Sequence, residues 1–71
     1  MTTQSGGLTW HAATDPRHGQ VWRTHYRQYL LRAREMDSLV IIGRESDHGW
    51  VYVASGATLT QAALSAREVL G

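Results

Sequence analysis

The segment VWRTHYRQYLLRAR, residues 21–34, combines two kinds of side chain that bind macromolecules. It contains four arginines and no aspartate or glutamate. Guanidinium groups bind phosphates or carboxylates, while tryptophan and tyrosine stack on bases or fill pockets of a partner protein. The segment therefore supplies the candidate partner-binding residues, which are Trp22, Arg23, Tyr26, Arg27, Arg32 and Arg34.

The distribution of charge favours a protein partner over nucleic acid. All seven cationic residues are arginines, yet the net charge is only +1. The isoelectric point of about 8.3 lies below the value above about 9 that is typical of nucleic-acid-binding domains. Acidic residues follow the basic segment directly, at Glu35, Asp37, Glu45 and Asp47. This segregation predicts a basic and an acidic face that bind a protein partner or meet in a homodimer, with DNA binding through Arg23–Arg34 as the alternative.

A purely structural interpretation of the same segment stays open. Its aromatic side chains would then form the core, and its arginines would form a solvated face that pairs with nearby acids. Against this, three tryptophans and three tyrosines exceed what the core of so short a chain easily buries. An interaction surface is therefore the favoured hypothesis.

The four histidines raise the question of a metal site. Zinc needs three or four ligands that converge in space, but the chain has no cysteine, no HExxH motif and no closely spaced histidine pair. The nearest approach to a ligand set is Asp15, His18 and His25, while His11 and His48 lie elsewhere. We expect no metal and no other cofactor.

Catalytic motifs are also missing from the sequence. No serine lies in a GxSxG nucleophile elbow, and the adjacent pair Asp47 and His48 fits a turn better than a catalytic dyad. A chain of this length rarely encloses a pocket of several hundred Å³. The sequence thus predicts a non-enzymatic protein without a small-molecule substrate.

Three stretches have clear secondary-structure patterns. LTWHAAT predicts a strand that ends in the turn-forming DPRHG, and SLVIIGRES and GWVYVAS predict a β-hairpin around DHG. In the hairpin, Trp50, Tyr52 and Ala54 are expected on one face because side chains alternate along a strand. TLTQAALSAREVLG predicts a helix, in which Thr58 and Gln61 fit a capping box. The residues expected to cover the sheet are Leu59, Ala63, Ala66 and Leu70.

Residues 21–34 fit either a helix or two strands. A helix places most of the large side chains on one face but puts Leu31 on the polar side. Two strands give Leu31 a core position, but they require a break near YRQ where the sequence has no glycine or proline. We favour the strands.

The spaced aromatic residues, YLLRAR, GWVYV and TLTQAALSARE resemble small uncharacterised proteins of actinobacterial phages and their hosts. The matching helix start is the TL..A...A phrase, with Thr58, Leu59, Ala62 or Ala63, and Ala66. The resemblance implies a curled antiparallel sheet followed by one helix, and a phage product that binds a host protein. This sequence departs from the group in lacking a glycine before YLLRAR. A small sheet followed by a helix also resembles the arm-binding domains of phage tyrosine recombinases, which bind DNA.

These patterns together predict an α+β domain over residues 8–71. Its antiparallel sheet has three to four strands, and one C-terminal helix, Thr58 to Leu70, packs on one face. Residues 1–7 are expected to be a disordered lead. No apolar run is long enough to span a bilayer, and the polar N-terminus is unlike a signal peptide, so we expect a cytoplasmic protein without membrane partners.

Overall fold

An antiparallel sheet followed by one helix forms the structure, a computed structural model that describes residues 1–17 and 19–71. In that part of the chain the six strands are β1 (Thr2–Ser5), β2 (Leu8–Asp15), β3 (Gly19–Tyr26), β4 (Tyr29–Met36), β5 (Leu39–Ser46) and β6 (Gly49–Gly56), and the helix α1 is Leu59–Leu70. Each strand pairs with the next one along the chain. The α+β class with one C-terminal helix on the sheet is confirmed, whereas the prediction of three to four strands is wrong.

The first additional strand, β1, lies within residues 1–7, for which the sequence predicted a disordered lead. β1 pairs with β2 from Thr2↔His11 to Ser5↔Leu8. The turn between them consists of Gly6 and Gly7, with φ of +61° and +79°, and positive φ at both positions is what a tight hairpin turn requires. A short polar strand gives little signal in a sequence, because its stability comes from backbone pairing with β2.

Residues 21–34 form the hairpin of β3 and β4, so the interpretation as strands is confirmed. Tyr26 pairs with Tyr29, and the chain reverses at the predicted YRQ break. Arg27 takes the left-handed φ of +56° there, a conformation that non-glycine residues rarely adopt. The next turn, between β4 and β5, uses Asp37 and Ser38 in the same way. Because these two turns lack glycine, the sequence marks the limits of β3, β4 and β5 only weakly.

The core lies between α1 and one face of the sheet. Trp10, Leu31 and Ile42 are fully buried there. The residues of α1 that meet them are Ala62, Ala63 and Ala66, which are also fully buried. α1 contacts β5 and β6 at one edge of the sheet and β1 at the other, so the sheet curls around the helix. Small alanine side chains allow this close approach of the helix backbone to the strands.

The start of α1 is fixed by the predicted capping box and by a close backbone contact. Thr58 Oγ1 accepts a hydrogen bond from Gln61 N at 3.2 Å, and Gln61 Oε1 accepts one from Ala57 N at 3.2 Å. A Cβ atom on Gly56 would lie 2.7 Å from Ala62 N. Glycine is therefore needed where β6 passes into the helix.

A β-bulge between β5 and β6 changes which side chains face α1. Ile42 pairs with Ala54, but the next residue, Gly43, pairs with Tyr52, so Val53 is the extra residue. Val53 and Ala54 both lie in the core. The prediction that Ala54 shares a face with Tyr52 is therefore wrong, because a bulge breaks strict alternation.

Enlarging an alanine under the helix should destabilise the fold. We expect Ala66→Leu to lower the free energy of unfolding by about 1–3 kcal/mol, because the added methyl groups must enter a packed interface. The measurement is urea denaturation followed by circular dichroism. Leu64→Ala, on the outer side of α1 where Leu64 is 52% exposed, is the control and should change stability by less than about 0.5 kcal/mol. Equal stability of the Ala66→Leu variant and the unmodified protein would contradict this packing.

Candidate binding face

The face of the sheet turned away from α1 carries three arginines side by side. Arg23 of β3 and Arg32 of β4 are directly opposite each other in the register, and Arg34 lies two residues further along β4. Their neighbours Leu31 and Ala33 are in the core on the other side. We call this surface the helix-free face; its charged and aromatic side chains and histidines are His11, Asp15, Arg23, His25, Arg32, Arg34, Glu45, Trp50 and Tyr52.

The structure divides the six predicted partner-binding residues among three places. The arginines of β3 and β4 share the helix-free face. Trp22 and Tyr26 are half-buried and pack against the core on the α1 side, because they alternate with Arg23 along β3. Arg27 is exposed in the turn between β3 and β4. The aromatic and basic residues that are neighbours in the sequence therefore do not form one surface.

Trp50 and Tyr52 of β6 provide the aromatic groups of the helix-free face instead. The guanidinium carbon of Arg32 lies 4.3 Å from the centroid of the Trp50 ring, within the range of a cation–π contact. Tyr52 is 64% exposed, and its hydroxyl lies 3.0 Å from Ser55 Oγ, at hydrogen-bond distance. The alternation of Trp50 and Tyr52 along β6 was visible in the sequence, but only strand order places them across β5 from the arginines.

Arg32 is the best-anchored cation of the helix-free face. Its Nη1 donates a hydrogen bond to Asp15 Oδ2 at 3.2 Å, and both side chains are only 13% exposed. Burial lowers the pKa of Arg32, the ion pair with Asp15 opposes that change, and the charges of Arg34 and Arg23 lower the pKa further. The carboxylate of Asp15 and the ring of Trp50 thus hold Arg32 in place.

Arg23 and Arg34 form no ion pair with any of the described residues. Within the described part of the chain, neither side chain makes a hydrogen bond or an ion pair. Like charges directly opposite on adjacent strands are destabilising, and the charges of Arg34 and Arg23 add to the lowering of the Arg32 pKa that burial chiefly causes. The face thus carries three arginines, Arg23, Arg32 and Arg34, against the two acids Asp15 and Glu45.

Two hollows lie on the helix-free face. One, of about 180 Å³, is lined by Arg32, Arg34, Ile41, Gly43, Trp50, Val51 and Tyr52. The other, of about 310 Å³, is lined by His11, Arg23, Thr24, His25 and Leu30. Basic groups thus line both depressions.

A third cleft opens on the α1 side of the sheet. It has a volume of about 310 Å³, and it is lined by Thr3, Ser5, Trp22, Glu35, Val40, Ala57, Thr58 and Leu59. Two of these lining residues come from segments singled out in the sequence. Trp22 belongs to the basic segment of residues 21–34, and Glu35 is the first acidic residue after it.

Tyr26 and two arginines form a separate cationic cluster at the end of β3. The guanidinium carbons of Arg27 and Arg67 lie 5.4 and 5.8 Å from the centroid of the Tyr26 ring. The hydrogen bond with Arg27 lowers the pKa of Tyr26, burial opposes this, and Arg67 lowers it further. Arg67 Nη1 also donates to Gly6 O at 2.9 Å, which ties α1 to the β1–β2 turn.

Among the residues that the structure describes, no three histidine or acidic side chains converge to hold a metal ion. The set of Asp15, His18 and His25 is not tested by this, since His18 lies outside the described residues. Within the same residues, no helix has the length and apolar character needed to cross a membrane. Comparisons with protein-family models, curated proteins and solved structures find no match for this chain.

Removing the Asp15 carboxylate should destabilise the fold, because Arg32 loses the acid with which it forms an ion pair. We expect Asp15→Ala to lower the free energy of unfolding by about 1–3 kcal/mol, because a mostly buried guanidinium loses its charged hydrogen-bond partner. Urea denaturation at neutral pH measures the change. Asp47→Ala, an exposed residue in the β5–β6 turn, is the matched control and should have an effect below about 0.5 kcal/mol. Equal effects of the two substitutions would show that the ion pair contributes nothing.

The lowered pKa of Tyr26 should depend on Arg27. Removing the positive charge in Arg27→Gln should raise the pKa of Tyr26 towards its ordinary value, because the cation stabilises the tyrosinate form. An NMR titration of the tyrosine ring resonances measures this, with Arg17→Gln as the control for a general change of charge. An unchanged titration of Tyr26 in the Arg27→Gln variant would contradict the assigned cause.

Proposed function

We propose that this protein is a small non-enzymatic interaction module that binds an acidic surface of a partner protein through the helix-free face. The observation that carries the proposal is the group Arg23, Arg32 and Arg34, in which only Arg32 has an acidic partner among the described residues. A cluster of like charges reduces stability, so its presence is best explained by a ligand of opposite charge. Binding of an acidic surface would offset the repulsion.

The composition of the helix-free face supports a protein partner. Arginine, tryptophan and tyrosine are the residues enriched at the energetic centres of protein interfaces. Asp15 lies among the arginines and reduces the local positive charge, and the whole chain has a net charge of only +1. Both features weaken attraction to a polyanion such as DNA while leaving specific ion pairs with a protein available.

The sizes of the hollows support a macromolecular partner over a small-molecule substrate. Their volumes of about 180 and 310 Å³ lie at or below the lower end of the range, about 300–1,000 Å³, of sites that enclose small ligands. Such hollows suit single side chains of a larger partner. The resemblance to phage proteins supports a phage product that binds a host protein in the cytoplasm, and a second copy of the chain is the alternative protein partner.

Nucleic-acid binding is the second candidate, and the position of Trp50 and Tyr52 favours it. Two aromatic rings beside a line of arginines can stack on bases while the guanidinium groups contact phosphates. This candidate uses the same face, so it differs from the first in the chemistry of the ligand and in its response to salt.

Charge reversal at Arg34 tests the proposal. We expect the protein to bind fluorescently labelled polyglutamate, and Arg34→Glu to weaken that binding at least about tenfold, because an attractive contact becomes repulsive. Fluorescence anisotropy measures the affinity. Arg17→Glu makes the same change of net charge in the exposed β2–β3 turn and should alter the affinity less than about threefold. Equal losses in the two variants would contradict a defined site on the helix-free face.

A parallel titration with duplex and single-stranded DNA separates the two candidates. The proposal predicts that polyglutamate competes for the face and that DNA binds weakly at physiological salt. Strong DNA binding that falls steeply with salt, and that Arg34→Glu abolishes, would establish the second candidate instead. Light scattering at two protein concentrations detects a homodimer.

A further inference from the structure

We infer that the hollow between β4 and β6 is a subsite for one acidic residue and an adjoining apolar residue of the partner protein. The inference rests on the proposed function and specifies the ligand of one part of the helix-free face. Arg32 and Arg34 line one side of the hollow, and Trp50 and Tyr52 line the other. The site thus offers a cationic wall, Arg32 and Arg34, and an aromatic wall, Trp50 and Tyr52, which meet where Arg32 is stacked on the Trp50 ring.

The floor of the hollow exists because β5 has a glycine at this point. Gly43 lies between the arginines of β4 and the aromatic residues of β6. A Cβ atom at Gly43 would lie 3.1 Å from Val51 O and 3.8 Å from Trp50 Cβ, so even an alanine would crowd the floor. The bulge at this position also directs Tyr52 to the hollow, while Val53 is buried in the core.

The cationic wall is suited to a carboxylate. Arg32 is fixed by Asp15 and by the Trp50 ring, so little conformational freedom remains to be lost when it binds a ligand. Arg34 has no anionic partner among the described residues, and its guanidinium is available for the paired hydrogen bonds that carboxylates accept. A single carboxylate at this wall would face both positive charges.

The opposite part of the hollow is suited to an apolar side chain. Ile41 and the ring of Tyr52 provide apolar surface, and Tyr52 is 64% exposed. The volume of about 180 Å³ is below that of sites that enclose small ligands, so the hollow takes the apolar side chain while the neighbouring carboxylate contacts the arginines. Polyglutamate would fill only the cationic part, so an acidic residue followed by an apolar one should bind more tightly.

Two short peptides test this subsite. One consists of repeated Glu-Leu-Gly-Ser units, and the other has serine in place of each leucine, so that both have the same charge. We expect the unmodified protein to bind the leucine peptide about fivefold more tightly, because the leucine loses contact with water in the hollow. Fluorescence anisotropy gives the ratio of the two dissociation constants.

Three variants assign the preference to the hollow. Tyr52→Ala should reduce the ratio to about one and change the affinity for the serine peptide less than about twofold, since Tyr52 supplies only the apolar wall. Arg34→Gln should weaken binding of both peptides. Leu64→Ala removes a comparably exposed apolar side chain from α1 and should keep the full preference.

The results separate the inference from the proposed function. Equal affinity of the unmodified protein for the two peptides would overturn the subsite but leave the acidic-partner proposal standing. A ratio that survives Tyr52→Ala, or that disappears in Leu64→Ala, would place the apolar contact elsewhere and also overturn the subsite. Failure to bind either peptide would overturn the proposed function itself. The same conclusion would follow if the helix-free face bound only single-stranded DNA, tested here as oligothymidylate.

Discussion

One helix packed on one face of a six-stranded sheet is the constraint on which the rest of this structure depends. Ala62, Ala63 and Ala66 bring α1 close to the strands, and the sheet curls so that the helix reaches β1 and β6. The main hydrophobic cluster is consequently built on that face, while Val21 of β3 is fully buried on the other. The other face must be stabilised by polar and aromatic contacts across the strands, and the pair of Asp15 and Arg32 stacked on Trp50 is the clearest of these.

The same arrangement connects the fold to the proposed function. A face without a covering helix is free for a partner, but it also has to remain ordered in its absence. Asp15 and Trp50 hold Arg32 in place, and in the proposed function Arg23 and Arg34, which form no ion pair among the described residues, attract the anion. Gly43 of β5 and the β-bulge at Val53 open a hollow beside Arg32 and Arg34. Stability and the proposed binding would thus use neighbouring residues of one surface.

The sequence predicted the elements with strong local signals and missed those that depend on pairing. The capping box, the alanine-rich helix and the β5–β6 hairpin were predictable because Thr58, Gln61 and the β-branched runs act locally. β1 was missed because a polar strand is specified by its partner. The turn at Arg27 was located only approximately, since it uses a left-handed conformation without glycine.

The candidate site was predictable as a set of arginines but not as a surface. Trp22 and Tyr26 are next to arginines in sequence, yet alternation along β3 sends them to the opposite face. Trp50 lies far from Arg32 in the chain, and only the order of β4, β5 and β6 brings the two together. Strand order and the bulge depend on contacts between distant residues, which residue spacing within one segment does not encode.

NMR mapping with polyglutamate on the isotope-labelled protein tests the central claim most directly. The account predicts that chemical-shift changes concentrate at Arg23, Arg32, Arg34 and Trp50, on the helix-free face. Changes concentrated instead on the outer side of α1, at Leu64 and Val69, would contradict it.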